Sequence, residues 1–232
     1  PVLNELEKWG DKHDNYIMTI PDNYISHGDF LEFDIIKEYY EINNYESAKK
    51  WIEEDIINNY DKDFRVHIIR TDKDNIDYIK NACLENNISF ISHTSEDKIL
   101  HEELTDIFDN KCKNKHIVLA IKGYYRRATF IPNQWKKKIG TLHERYVKNL
   151  DTNVQIQGLI GRMTGYWKDD ITNGHKTGPY RTSIKSINQY EAFFKDPSNQ
   201  KLKYSKSGSK KSLVNPRNIE NLQTKNNEMN KI

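Results

Sequence analysis

The feature that most constrains the fold is the run HIVLAI, from His116 to Ile121. It is the most apolar run in a chain of 232 residues that is only 36% hydrophobic. Continuous apolar runs are typical of strands in parallel sheets, because helices cover both faces of such sheets. The run therefore predicts a central strand of a parallel sheet, and hence an α/β domain.

Other patterned segments surround this strand. Period-two and β-rich runs predict three further strands, at 64–70, 88–92 and 139–144. Apolar residues at helical spacing predict helices at 46–57, 73–87, 100–108 and 184–194. Two strands joined by a helix form a βαβ unit, which is normally parallel and right-handed. The pattern thus predicts one α/β domain around the central strand.

Composition predicts the domain organisation. The α/β domain is predicted at residues 62–168, after an acidic connector and helical segment at 1–61 and before a helical extension at 169–197. Residues 198–232 form a basic tail rich in Lys, Ser and Asn, which lacks the apolar content to fold. Because the chain begins at Pro1 rather than Met, we expect it to be a piece of a longer polypeptide.

Charge is distributed unevenly although the net charge is only +2. Residues 111–232 carry 25 Lys and Arg against 8 Asp and Glu, whereas residues 1–63 are acidic. Such asymmetry is expected when one face of a protein meets a polyanion. A basic tail explains part of the excess, but not the basic residues inside patterned segments.

Cysteine content and hydropathy indicate the compartment. Cys83 and Cys112 are too few for a disulfide framework, which predicts a reducing, intracellular environment. No apolar run can span a bilayer and no signal peptide is present, so no membrane partner is expected. His93 and the pair His143-Glu144 lack the spacing of a zinc motif, and no metal site is predicted.

The stretch VQIQGLIGRMTGYW, from Val154 to Trp167, is predicted as a helix that carries Arg162. Gly161 beside it allows a neighbouring group to approach the backbone closely. A planar, always charged guanidinium in a crevice suits a phosphate. The alternative is a surface helix whose arginine pairs with a local carboxylate. Gln155 and Gln157 either orient a nucleotide or nucleic acid or face water.

Four segments, taken in order, resemble the second RecA-like domain of superfamily-2 helicases, which are nucleic-acid-stimulated, ATP-driven translocases. RVHIIRT resembles the motif IV strand, HIVLAIKGYYRRATFIP the motif V region, KKKIGTLHE the next strand and QIQGLIGRMTGY motif VI. The nearest likeness is to a divergent branch in large DNA viruses and phages, where KG-x-x-R and Q-x-x-x-GR-x-x-GY recur. The resemblance covers residues 62–168.

The resemblance implies a RecA-like parallel sheet flanked by helices, and an ATP site completed from outside by this domain. Arg162 is then the arginine finger, Gly161 lies against the nucleotide and Gln157 orients the reacting groups. ATP and Mg²⁺ would be held mainly by the first RecA-like domain of the same polypeptide. Its Walker A and Walker B loops do not occur in this sequence, so the chain alone is not expected to hydrolyse ATP.

The resemblance also implies that DNA or RNA binds at the turn after HIVLAI. The residues expected to bind the strand are Lys122, Tyr124, Arg126, Arg127 and Lys136. The cations would hold phosphates, and Tyr124 would stack on a base. Trp135 either stacks on a base or covers the sheet. Such a protein would work in the cytoplasm, a virion or a viral factory.

Departures from the family pattern leave another function open. Gly165 stands where motif VI usually has a second arginine, and the usual Thr and Asp of motif V are replaced by Lys122 and Gly123. The alternative is therefore a non-enzymatic nucleic-acid-binding module that has kept the fold without the motor. A nuclease is disfavoured, because no acidic pair with a nearby lysine ends the predicted strands.

Overall fold

The computed structural model describes residues 19–94, 97–123 and 130–195. Within these ranges the strands are β1 Ile36–Glu38, β2 Val66–Arg70, β3 Ser89–His93, β4 Ile117–Ile121, β5 Ile139–His143 and β6 Tyr180–Thr182. They form one sheet in the order β1-β6-β5-β2-β4-β3, and every neighbouring pair is parallel. The predicted α/β fold, a parallel sheet flanked by helices, is confirmed.

Helices connect these strands. In chain order they are α1 His27–Glu32, α2 Tyr45–Trp51, α3 Ile76–Glu85, α4 His101–Asp109, α5 Asn133–Lys136, α6 Thr152–Ile156, α7 Leu159–Met163, α8 Lys168–Thr172 and α9 Ile184–Lys195. Helix α2 continues as a π-helix over Ile52–Ile57 and ends with the turn Asn58–Tyr60. None of the helices in the described ranges has the length and apolar character needed to cross a bilayer.

Two apolar layers cover the two faces of the sheet, and β4 contributes to both. Ile117, Leu119 and Ile121 pack into one layer, whereas Val118 and Ala120 pack into the other. This alternation explains why the β4 run is apolar throughout, since successive side chains of a strand point to opposite faces. The free cysteines Cys83 and Cys112 lie in different layers, so the sheet separates them.

The sheet extends beyond the 62–168 segment at both ends. β1 comes from the segment before it and β6 from the segment after it, and the two strands pair with each other. β6 also pairs with β5, which joins both strands to the predicted sheet. In α2 and its π-helical continuation, Trp51, Ile52 and Ile56 are fully buried against the sheet. Parts of residues 1–61 and 169–197 therefore belong to the same core.

The predicted single helix at Val154–Trp167 is wrong, because two short helices, α6 and α7, occupy this stretch. Helix α6 ends at Ile156 with Gln157 as its C-cap, and Gly158, with a φ of -70° and a ψ of -146°, is the N-cap of α7. The break turns the chain sharply, so that the amino end of α7 faces the end of β5. The spacing of apolar residues is nearly the same for one helix as for two, so it does not predict the break. The turn depends on the hydrogen bond from Leu159 to Glu144, which is distant in sequence.

Candidate functional site

The strand order creates a switch point between β2 and β5. The chain leaves β2 toward β4 and β3 on one side, and leaves β5 toward β6 on the other. In open α/β sheets, neighbouring connections that depart in opposite directions leave a crevice between the carboxyl ends of the two strands. Ligands of open α/β sheets bind in such crevices.

Two ion pairs cross this crevice. Arg70 at the end of β2 brings its Nε within 2.6 Å of Glu144 Oε1, just after β5. Farther out, Arg145 Nη1 donates to Asp72 Oδ1 at 2.7 Å. The inner pair is largely buried, whereas the outer pair is nearly half exposed. The outer pair is thus worth only about 0–1 kcal/mol, and the inner pair is the stronger constraint on geometry.

Glu144 also holds the start of α7. Its Oε2 accepts a hydrogen bond from the backbone N–H of Leu159 at 2.8 Å. The first N–H groups of a helix have no partner within the helix, so this carboxylate satisfies one of them. Gly158 makes the contact possible, because a Cβ there would lie 2.4 Å from Oε2. The end of β5 and the segment that carries Arg162 are therefore joined through one side chain.

Arg162 lies in the last turn of α7, and its side chain is partly buried. Burial lowers the pKa of its guanidinium, and the positive charge of Arg70 lowers that pKa further. Arg70 and the start of the helix that carries Arg162 are both held by Glu144 at the switch point. An arginine remains charged in such a place, and two neighbouring cations favour an anion close to both.

Gly161 and Gln157 lie beside this pair. A Cβ on Gly161 would stand 2.2 Å from the carbonyl oxygen of Ile156, so this glycine admits a close approach of the chain's own backbone, and its contact with a nucleotide stays a prediction. The same carbonyl accepts from His27 Nε2 at 2.9 Å. Burial lowers the pKa of His27 to about 4, against the opposing effect of that hydrogen bond. Gln157 is half-buried at the end of α6, and its contact with reactants stays a prediction.

Lys122 and Gly123 follow β4, next to the switch point. Lys122 is half-buried, and its backbone N–H donates to the carbonyl of His93 at 3.2 Å. Gly123 has a φ of 79°, a left-handed conformation that favours glycine. The predicted strand-binding residues Tyr124, Arg126 and Arg127 lie outside the described residues.

Lys136 and Trp135 are both buried away from solvent. Lys136 is 1% exposed, and its Nζ donates to the carbonyl of Thr164 at 2.7 Å. Burial lowers the pKa of this lysine to about 8. Trp135 stacks on Phe108 with ring centroids 4.7 Å apart, so it covers the sheet rather than offering a face to a base. Lys136 thus anchors the turn after α7 and does not present its charge to a strand.

Arg70, Glu144 and Arg145 are not among the residues predicted from the sequence. A signal was present, since each ends or follows a predicted strand. What decides their proximity is that β2 lies beside β5, and strand order depends on long-range pairing. No group of three His, Cys, Asp or Glu side chains in the described ranges is arranged to hold a metal ion.

Neither a protein-family model nor a curated protein matches the chain.

Proposed function

We propose that the chain is the C-terminal half of an ATP-dependent nucleic-acid helicase or translocase, with Arg162 as its arginine finger. The observation that carries the proposal is that Glu144 joins Arg70, at the end of β2, to the start of α7, which carries Arg162, at the switch point of an all-parallel sheet. Such switch points bind ligands, and guanidinium groups bind phosphate oxygens through two parallel hydrogen bonds.

The residues at the switch point fit the phosphate end of a nucleotide. They offer two guanidinium groups that are partly shielded from water, where the attraction between opposite charges is stronger than at an open surface. ATP with Mg²⁺ would supply the phosphoanhydride bond whose cleavage drives movement. Arg162 would stabilise the negative charge that develops on the transferring phosphoryl group. The first RecA-like domain of the same polypeptide would hold most of the nucleotide.

The turn after β4 would bind the DNA or RNA strand. Lys122 stands at the carboxyl end of β4, on the same edge of the sheet as the switch point. Together with Arg126 and Arg127 it would hold phosphates, which gives binding that is indifferent to sequence and weakened by salt. The nucleic acid and the nucleotide would then contact the ends of neighbouring β-strands. This arrangement gives a short route for coupling nucleic-acid binding to ATP hydrolysis.

The test is Arg162→Ala in a polypeptide that also contains the first RecA-like domain. We expect nucleic-acid-stimulated ATP turnover to fall by on the order of 10³-fold, because an arginine finger contributes that much in related chemistry. The affinity for single-stranded nucleic acid should not change, since Arg162 is assigned to the nucleotide. Steady-state ATPase assays and fluorescence anisotropy with a labelled oligonucleotide measure the two quantities.

Lys111→Ala is the matched control. Lys111 precedes β4 at the opposite edge of the sheet, and its exposed Nζ pairs with Asp106 at 3.2 Å. The substitution removes one positive charge far from the switch point and should leave ATP turnover unaltered. Full turnover in Arg162→Ala would refute the arginine-finger assignment. Strand binding without any stimulated turnover in the unmodified polypeptide would favour the non-enzymatic module.

A further inference from the structure

We propose that Glu144 is a positioning residue, which fixes the two guanidinium groups of the switch point relative to each other. This inference rests on the proposed function, because it assigns Glu144 a part in the same ATP site. Glu144 is 5% exposed and connects three elements: it follows β5, pairs with the last residue of β2 and binds the first residue of α7.

The two carboxylate oxygens have separate partners. Oε1 lies 2.6 Å from Arg70 Nε, and Oε2 accepts from the Leu159 N–H at 2.8 Å. The first contact orients one guanidinium directly. The second fixes the start of α7, and Arg162 lies one turn later on that five-residue helix. One side chain therefore holds Arg70 directly and holds Arg162 through the start of its helix.

Like charges make this restraint necessary. The positive charges of Arg70 and Arg162 oppose each other, since the charge of Arg70 lowers the pKa of Arg162. Glu144 compensates the charge of Arg70, and its hydrogen bond to the Leu159 N–H holds the start of α7 in place. Binding an anion between groups that are already in place avoids the entropic cost of ordering them.

Two substitutions separate position from charge. Glu144→Gln removes the negative charge and leaves one acceptor oxygen for three donors, which are Arg70 Nε and the backbone N–H groups of Arg145 and Leu159. Gly158→Ala keeps every charge, but its new Cβ would stand 2.4 Å from Oε2 and 3.0 Å from the carbonyl oxygen of Gln155. Both changes displace the same contact. A shared defect would therefore come from misplacement, because only one of the two variants alters charge.

The kinetic test uses the polypeptide with both RecA-like domains. In Glu144→Gln and Gly158→Ala, we expect kcat for stimulated ATP hydrolysis to fall by on the order of 10²-fold, the effect of misplacing reacting groups by about 1 Å. The KM for ATP should not rise in Glu144→Gln, because the crevice loses a negative charge. Glu102→Gln, on the exposed first turn of α4, is the matched control and should keep full activity.

Amide hydrogen exchange in the 232-residue chain gives a readout that needs no ATP. The Leu159 N–H is held by Glu144, so its exchange should be slow in the unmodified chain and about as fast as an unprotected amide in both variants. The amides of β4 report whether the core stays folded. Their protection should persist in both variants.

The outcomes distinguish this inference from the proposed function. Full turnover in Arg162→Ala would overturn both proposals. A loss of turnover in Arg162→Ala with unchanged kcat in Glu144→Gln and Gly158→Ala would overturn the positioning role alone. Slow Leu159 exchange in both variants would likewise overturn it, whereas a reduced kcat with fast Leu159 exchange and a protected β4 would support it.

Discussion

Two glycines decide how closely the chain can pack beside the switch point, because glycine has no side chain. Gly158 leaves space for the Glu144 carboxylate, and Gly161 leaves space for the carbonyl of Ile156. The two obstacles differ in kind. A carboxylate at the end of a flexible side chain can move, whereas the Ile156 carbonyl belongs to α6 and also accepts from His27. Gly161 is therefore the less replaceable of the two.

This difference predicts the effect of Gly161→Ala on stability. The new Cβ would stand 2.2 Å from a backbone oxygen, so the start of α7 must shift. Overpacking of this kind typically costs about 1–3 kcal/mol, and a better helix propensity offsets only part of it. Urea denaturation followed by circular dichroism measures the change in the free energy of unfolding.

Gly28→Ala provides the comparison for that measurement. Gly28 is also helical, but a Cβ there would meet Glu191 Oε2, at 2.7 Å, the far end of a side chain that can rotate away. We expect a change within about 0.5 kcal/mol, as for most surface substitutions. Equal losses in the two variants would contradict the argument that backbone obstacles dominate.

A buried ion pair ties the π-helical continuation of α2 to β6. Arg181 Nε and Nη2 donate to the two carboxylate oxygens of Asp55 at 2.6 and 2.7 Å. Burial raises the pKa of Asp55, although the hydrogen bond from Arg181 opposes the change, and the same hydrogen bond raises the pKa of Arg181. Because both contacts are short and bidentate, we treat the pair as fully charged.

Removing one member of this pair should be costly. Asp55→Ala leaves Arg181 largely buried, with Glu54 3.6 Å away as its remaining carboxylate. We expect a loss of about 3 kcal/mol, at the low end of the range for breaking a buried pair because Glu54 compensates in part. Lys37→Ala breaks an exposed pair of similar length, 2.6 Å to Asp34, and should cost only about 0–1 kcal/mol. Similar losses in a urea titration would show that burial is not decisive.

Some strands and helices could be predicted from the local sequence, and others could not. β2, β3, β4 and β5 were predicted within two residues at either end, since each is a local apolar pattern. β1 and β6 are three residues long and gain their strand conformation from pairing with each other, which no local pattern encodes. The break between α6 and α7 depends on the contact from Leu159 to Glu144, fifteen residues earlier. Arg162 was predicted from local motif, but its neighbour Arg70 required the strand order.

Buried neutral histidines make the free energy of unfolding of the whole protein depend on pH. Thr141 N–H donates to His67 Nδ1 at 3.1 Å, so the network places the proton of His67 on Nε2, which donates to His116 Nδ1 at 3.0 Å. His116 Nε2 then donates to the carbonyl of Asp61 at 2.9 Å. Burial lowers the pKa of His67 well below its usual value, and it lowers that of His143 to about 3.

Those shifts fix the direction of the pH dependence. Below about pH 6.5 an unfolded chain protonates these histidines, whereas the folded chain does not. The unfolded state then binds more protons, so stability is complete above that pH and is lost as the pH falls. Each histidine contributes up to about 1.4 kcal/mol per pH unit. Asp55, whose pKa is raised, acts in the opposite direction. The free energy of unfolding should therefore decline between about pH 6.5 and 5.

Replacing one of these histidines tests that account. In His143→Phe the decline between pH 6.5 and 5 should be shallower by about 1.4 kcal/mol per pH unit, because one proton uptake on unfolding disappears. His143 suits this change, since it is 2% exposed, packs against Tyr40 and Trp51, and has a buried Nε2 without a partner in the described ranges. His101→Phe, at the exposed start of α4, should keep the original slope. Urea titrations at pH 6.5, 5.7 and 5.0 give the three slopes, and an unchanged decline in His143→Phe would show that acid sensitivity arises elsewhere.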